Sequence, residues 1–273
     1  MRFQKKYCGL TKKLKREELS ELNNYYDCFV FGGDQIWCLD NAKVDDTYFG
    51  DFVKERSKKI SYSPSFGITQ LPEESKKRVA SLLGEFKSLS VREKSGQAIV
   101  FEMLGYYPKL VVDPVFLLKE TSYNELIKEY EGPKYCLCYV RERQFGNMMK
   151  MATDIAKRND FSVLSLAGTS LNGKRIPIIG PEVWLGLIKG AEVILTNSFH
   201  AVCFAIIFHK DFYVEANANS TRLINILEMF ELQDRLLPLQ KTQSKPIDWV
   251  KVDSILEEHR NESIAYLNQA LFD

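Results

Sequence analysis

Only three histidines occur among 273 residues, and the six cysteines form no C-x-x-C pair, so the spacing of a structural zinc site or a redox dithiol is missing. No charge predominates either. Thirty-seven basic and 36 acidic residues leave a formal charge of +1, which argues against a generic nucleic-acid or polyanion surface. The basic run Lys12-Lys13-Leu14-Lys15-Arg16 reads as a solvated face. No apolar run approaches the roughly 20 residues of a membrane-spanning helix, and no leader-like segment, internal repeat or low-complexity tract is found. Reduced thiols in the cytoplasm are the expectation, with peripheral attachment to the inner face of a membrane left open. What remains is an ordinary globular composition, 45% hydrophobic and 27% charged, able to bury one large core or two smaller ones.

The chain alternates strands and helices, the pattern of parallel α/β sheets. Helix 17–24 is followed by strand 27–31, strand 59–63, helix 73–83 opened by Pro72, strand 88–91, helix 93–104 closed by Gly105, and strand 110–112 stopped by Asp113-Pro114. A polar stretch at 119–133 marks a change of composition. Beyond it come strand 135–140, helix 146–158, strand 161–166, helix 181–189, strand 191–195, helix 199–208, strand 212–214, helix 221–230 and a long helix over about 249–270. The expected division is residues 1–120 and 121–273, two Rossmann-like domains that would form a cleft by facing one another.

Thr196-Asn197-Ser198-Phe199-His200 stands where the apolar strand 191–195 turns into an almost wholly apolar helix. Polar groups at a strand's carboxyl end lie on the ligand side of an open α/β sheet, and N–H groups at a helix start attract anions. An imidazole there suggests chemistry on a negatively charged small molecule.

Five blocks, Tyr26 to Trp37 (YDCFVFGGDQIW), Ser61 to Gly67 (SYSPSFG), Ser90 to Gly96 (SVREKSG), Val112-Asp113-Pro114 and Thr196 to His200, follow in the order and spacing of one family. Asn219 to Leu223 and Leu232 to Arg235 look like its C-terminal signature. By these residues the chain resembles the polysaccharide pyruvyl transferases. The resemblance implies two Rossmann-like domains with parallel sheets in a GT-B-like arrangement. It also implies transfer of the enolpyruvyl carbons of phosphoenolpyruvate onto two hydroxyls of a sugar in a surface polysaccharide or its lipid-linked precursor. A ketal forms and phosphate leaves.

Phosphoenolpyruvate carries a carboxylate and a phosphate, so its site needs cations or N–H donors, and the attacking hydroxyls need a proton acceptor. His200 is the candidate acid/base, because an imidazole titrates near neutral pH; its structural alternative is a half-buried capping residue. Arg92, at a strand end, can hold an anion bidentately, or else pair with Glu93 or another acid. Arg222 offers a second anion contact or a solvated helix start. Replacing His200 or Arg92 by alanine is expected to cut phosphate release and leave the fold nearly intact. Asn197 and Ser198 stand beside His200 as substrate-binding candidates. One branch of the family carries an arginine two residues before the histidine, where this chain has Ser198, so anion binding shifts to Arg92, Arg222 or helix N–H groups.

Asp34 and Gln35, after a double glycine, orient sugar hydroxyls or cap a turn. Ser63 and Ser65 are weaker candidates, Asp113 is read as structural, and Trp37, Tyr62 and Trp184 are read as core residues or sugar-stacking rings. His209 and His259 receive no role. No metal is called for, and no cofactor is expected beyond phosphoenolpyruvate as donor substrate.

Members of the family open with a strand and an Asn-Tyr-Gly loop, whereas here Arg2 to Arg16 precede the first helix. The resemblance thus implies a first domain lacking one βα unit, explained by a truncated coding sequence, a naturally short member, or a homo-oligomer covering the exposed sheet edge. Two other functions stay open. One is a glycosyltransferase using a nucleotide sugar; the other is a catalytically silent glycan-binding or assembly subunit.

Overall fold

Parallel strands need crossover segments on the faces of their sheet, and the chain supplies them in two units, Met1–Leu117 with Glu257–Asp273, and Leu118–Leu256. The structure, a computed structural model, describes all residues except 1, 40–43, 141–145, 168–169, 172–173, 176–179, 217–219 and 239–244. Asn219 of the C-terminal signature lies outside the described residues.

The first unit starts with a short helix, α1 (Arg2–Tyr7), and a 3-10 helix over Arg16–Asn24. The sequence predicts an ordinary helix at 17–24. The last turn of the 3-10 helix is held by the Asn23 amide, which donates to the Ser20 carbonyl and, 29 residues on, to the Phe52 carbonyl. β1 (Phe29–Gly33) then pairs in parallel with β2 (Lys59–Pro64), with a register shift between Phe31 and Gly33. α2 (Glu73–Gly84) begins after Pro72 with Glu73 and Glu74 complementing its positive end. β3 (Ser90–Val91), α3 (Lys94–Leu104) and β4 (Lys109–Leu110) follow, α3 stopping at Gly105 in the left-handed region, φ 78°. β3 pairs in parallel with β4, and a bridge from Ile60 to Ser88 joins the two strand pairs. The core is aromatic: Trp37 is fully buried, stacked on Phe49 at 5.1 Å and packed on Phe66 and Phe86.

The second unit contains α4 (Glu120–Asn124), β5 (Tyr135–Val140), α5 (Gly146–Asn159), β6 (Ser162–Ala167), β7 (Ser170–Leu171), β8 (Lys174–Arg175), α6 (Pro181–Lys189), β9 (Val193–Thr196), α7 (Phe199–Ile207), β10 (Asp211–Glu215), α8 (Thr221–Met229) and β11 (Leu236–Leu237). Its sheet runs β11-β10-β9-β5-β6-β7-β8. The first five strands are parallel, and β7 and β8 are antiparallel additions. Arg235, 1% exposed, ties the end of this unit together: it bonds Asp211 at 2.5 Å and the Lys245 carbonyl, and its guanidinium lies over the Tyr213 ring.

The last helix, α9 (Trp249–Phe272), is assigned to the second unit as far as Leu256 and to the first from Glu257 on. Hydrogen bonds explain the later part. Arg260 Nε donates to the Phe116 carbonyl, Ser263 Oγ accepts from the Val112 N–H, and the Tyr266 hydroxyl donates to the Ser61 carbonyl. The sequence places all of 121–273 in one domain; amphipathic spacing carries no record of these distant backbone partners.

Candidate functional site

In the second unit the chain leaves β5 for β6 on one side and returns across the sheet to β9 on the other. The strand order therefore reverses between β5 and β9, and open α/β sheets bind ligands at the carboxyl ends of the strands at such a reversal. Thr196 to His200 occupy that position. Ser198, 4% exposed, is the residue at which α7 begins, yet its side chain does not cap the helix. Instead its N–H donates to Thr196 Oγ1 at 3.0 Å, which folds the segment sharply from strand into helix. The positive end of α7 thus faces the reversal. His200, in the first turn, is half-buried with its ring edge-on to Phe199 at 5.3 Å, and Asn197 beside it is half-buried as well.

Arg222 lies in the first turn of α8, after the neighbouring strand β10, and is half-buried. The adjacent Thr221 Oγ1 is buried with no hydrogen-bond partner among the described residues. Trp184 packs edge-on to Tyr139 and Phe204, and its Nε1 is likewise buried without such a partner.

In the first unit a different group gathers at the carboxyl end of β1. Arg92 is the centre. Its side chain is 1% exposed and its terminal nitrogens bond to Asp34 and Asp113, with Nε 3.6 Å from Glu93. Burial alone would lower the guanidinium pKa, but the carboxylates of Asp113, Asp34 and Glu93 outweigh it and raise the value. The ion-pairing alternative for Arg92 is therefore present, with two of its three acids buried. A substrate anion reaching this guanidinium would have to displace those carboxylates. Asp113 is anchored in turn by the Val115 N–H at 3.1 Å. Asp34, whose side chain is 30% exposed, carries the chain of contacts outward.

Gln35 has φ 51° and packs its amide over Gly67, where a Cβ would collide with it. Ser63 is fully buried with φ 57°; its N–H donates to Ser90 Oγ at 3.2 Å, and its own hydroxyl has no partner among the described residues. Ser65 is buried too and donates to Glu93 at 2.5 Å. Trp37 is core, and Tyr62 is buried with its hydroxyl on the Val112 carbonyl at 3.0 Å.

A cleft of about 750 Å³ opens at Gly32, Gly33, Asp34 and Gln35, within the usual range of small-molecule sites. Asp45, Asp46 and Tyr48 also line it, residues the sequence does not signal because 44–48 show no periodic pattern and no motif. Glu93 and Asp113, read respectively as a partner for Arg92 and as a strand stop, prove to be members of one buried ionic group with it. Among the described residues no cluster of three His, Cys, Asp or Glu side chains could hold a metal ion, and no helix is long and apolar enough to cross a membrane.

Parallel strands with a polar helix start at the point of strand reversal define an α/β protein of Rossmann-like type, a class whose ligands lie at the carboxyl ends of the strands. The family narrows this. A profile described as polysaccharide pyruvyl transferase matches residues 2–219, four-fifths of the chain, and the protein belongs to that family. No curated protein matches the sequence.

Proposed function

We propose that the chain transfers the pyruvyl group of phosphoenolpyruvate to a glycan acceptor as a ketal, with the donor held at the start of α7. One observation carries this reading: in a chain of the pyruvyl transferase family, Thr196 to His200 stand at the strand reversal among the five parallel strands of the sheet, where a helix terminus offers N–H donors to an anion. Arg222, Asn197 and Ser198 supply further polar contacts to phosphate and carboxylate.

His200 moves the protons. A proton delivered to the enol methylene makes the central carbon electrophilic, and one sugar hydroxyl adds to it. The bond from that carbon to the phosphate oxygen then breaks, and a second hydroxyl closes the ketal. Of the two hydroxyl protons, one balances the new methyl group and the other leaves with phosphate. Electrostatic hold on the departing phosphate supplies much of the rate. Arg92 acts as a positioning residue in this scheme, since its guanidinium is already committed to carboxylates.

Thermal unfolding with and without ligand tests the donor. Phosphoenolpyruvate should raise the melting temperature in proportion to the logarithm of its concentration, and nucleotide sugars should not. A shift with nucleotide sugars alone would favour a glycosyltransferase.

A further inference from the structure

Charge is spread unevenly along the chain. Seven of the 37 basic residues fall within residues 2–16, where no acidic residue occurs, and the remaining 30 are outnumbered by all 36 acidic residues. Of the seven, Arg16 is engaged: it bonds Thr47 and Asp51 and lies 3.7 Å from Asp45. Lys5, Lys12 and Lys13 are exposed, and none of them forms an ion pair among the described residues. Lys6 is exposed as well, its Nζ 4.6 Å from the centre of the Tyr7 ring.

Apolar groups stand exposed among these cations. Leu10, between Lys6 and Lys12, is 63% exposed, and the half-exposed Tyr7 ring lies against Phe3 at 4.7 Å. Lys12 and Leu14 share a shallow cleft with Leu22, Tyr25 and Tyr26, and both tyrosines are exposed, Tyr25 by 75%. Glu18 and Glu21 line it too, and Glu18 already accepts from the Lys15 N–H. At about 270 Å³ the cleft lies below the usual range of small-molecule sites, so the feature is a surface rather than a pocket. A nucleic acid would engage the cations through its phosphates and leave Leu10 nothing to bury against. A bilayer surface engages both kinds of group: phosphate headgroups take the lysines, while leucine and tyrosine side chains settle at the boundary of the acyl chains.

We infer that residues 3–14, with Tyr25 and Tyr26, dock the protein on a membrane surface rich in anionic phospholipid. The patch lies within the first unit, and the inference does not depend on the transfer reaction. It departs from the reading of the basic run as a solvated face, because Leu10, Tyr25 and Tyr26 add apolar surface beside the lysines.

Sedimentation of the full chain with lipid vesicles tests this. Vesicles of equimolar phosphatidylglycerol and phosphatidylcholine should carry the protein down, and phosphatidylcholine alone should not. Raising salt from about 0.1 M to about 1 M, which shortens the screening length from about 10 Å to about 3 Å, should release it. Lys12→Gln combined with Lys13→Gln should weaken partitioning about twentyfold, from about fivefold for each lysine near an anionic surface. Leu10→Ser should weaken it about tenfold. Both proteins should keep the denaturation midpoint of the parent. Lys157→Gln combined with Arg158→Gln, two exposed cations of α5, should leave partitioning unchanged. Absence of binding to the anionic vesicles overturns the assignment, as does equal binding to phosphatidylcholine alone or an equal loss in the α5 variant. A single-stranded oligonucleotide that binds as tightly as the vesicles, with Leu10→Ser weakening neither, would mark a general polyanion patch and overturn it too.

Discussion

Arg92 and Asp113 form an ion pair inside the first unit, with side chains 1% and 4% exposed, although 21 residues separate them in sequence. Such a pair is costly to break from one side. Arg92→Ala leaves buried carboxylate charge without its partner and should lower unfolding free energy by about 3–5 kcal/mol in urea titration. Arg92→Lys should recover only part of this, since an ammonium cannot serve Asp34 and Asp113 through a planar fork. The expectation that removing Arg92 spares the fold is thereby revised. An Arg92→Ala protein as stable as the parent would show that the buried pair contributes little.

The approach of Gly32 to β2 gives a second expectation. A Cβ on residue 32 would overlap the Tyr62 carbonyl oxygen, a backbone atom that cannot swing aside. Gly32→Ala should cost about 1–3 kcal/mol, read from the shift in denaturation midpoint at constant m-value.

Thiol chemistry offers a third. Burial raises the pKa of Cys136 to about 12 and that of Cys138 to about 11, and Cys203 is buried as well. At mildly alkaline pH only Cys8 and Cys38 should alkylate quickly, with Cys28, half-buried and raised in pKa chiefly by desolvation, following slowly. Rapid labelling of Cys136 or Cys138 in the native protein would mean that β5 is not covered.

Alkaline pH should act on the docking of the terminal helix. Burial pushes the Tyr266 phenol up to about 12, and Tyr62 is raised for the same reason. A folded-state pKa above the unfolded value gives a contribution that is complete below about 10, the ordinary phenol value, and is lost as pH rises through about 12. Tyrosinate absorbance and helix content should therefore change together in that window, and Tyr266→Phe should remove part of the coupling.

Much of the second unit was legible in sequence. β5 and α6 fall where apolar run and punctuation put them, Tyr135–Val140 and Pro181–Lys189, because a covered strand is continuously apolar and Pro181 fixes a helix start. The turn at Thr196 to Ser198 was equally plain from the change between apolar strand and apolar helix. Local signals fail elsewhere. Strand expected at 110–112 shrinks to Lys109–Leu110, since Val112 gives its N–H to Ser263 on the terminal helix, 151 residues away. Asp34 bonds Arg92 from 58 residues away and shares a cleft lining with Tyr48 of an unpatterned segment, proximities that no local signal carries.

Phosphate released from phosphoenolpyruvate in the presence of glycan acceptor, compared between the parent protein and His200→Gln, tests the catalytic reading most directly. General acid/base catalysis by His200 predicts a fall of about 10²–10⁴-fold in rate at an unchanged melting temperature. A His200→Gln protein that releases phosphate at the parent rate would contradict it.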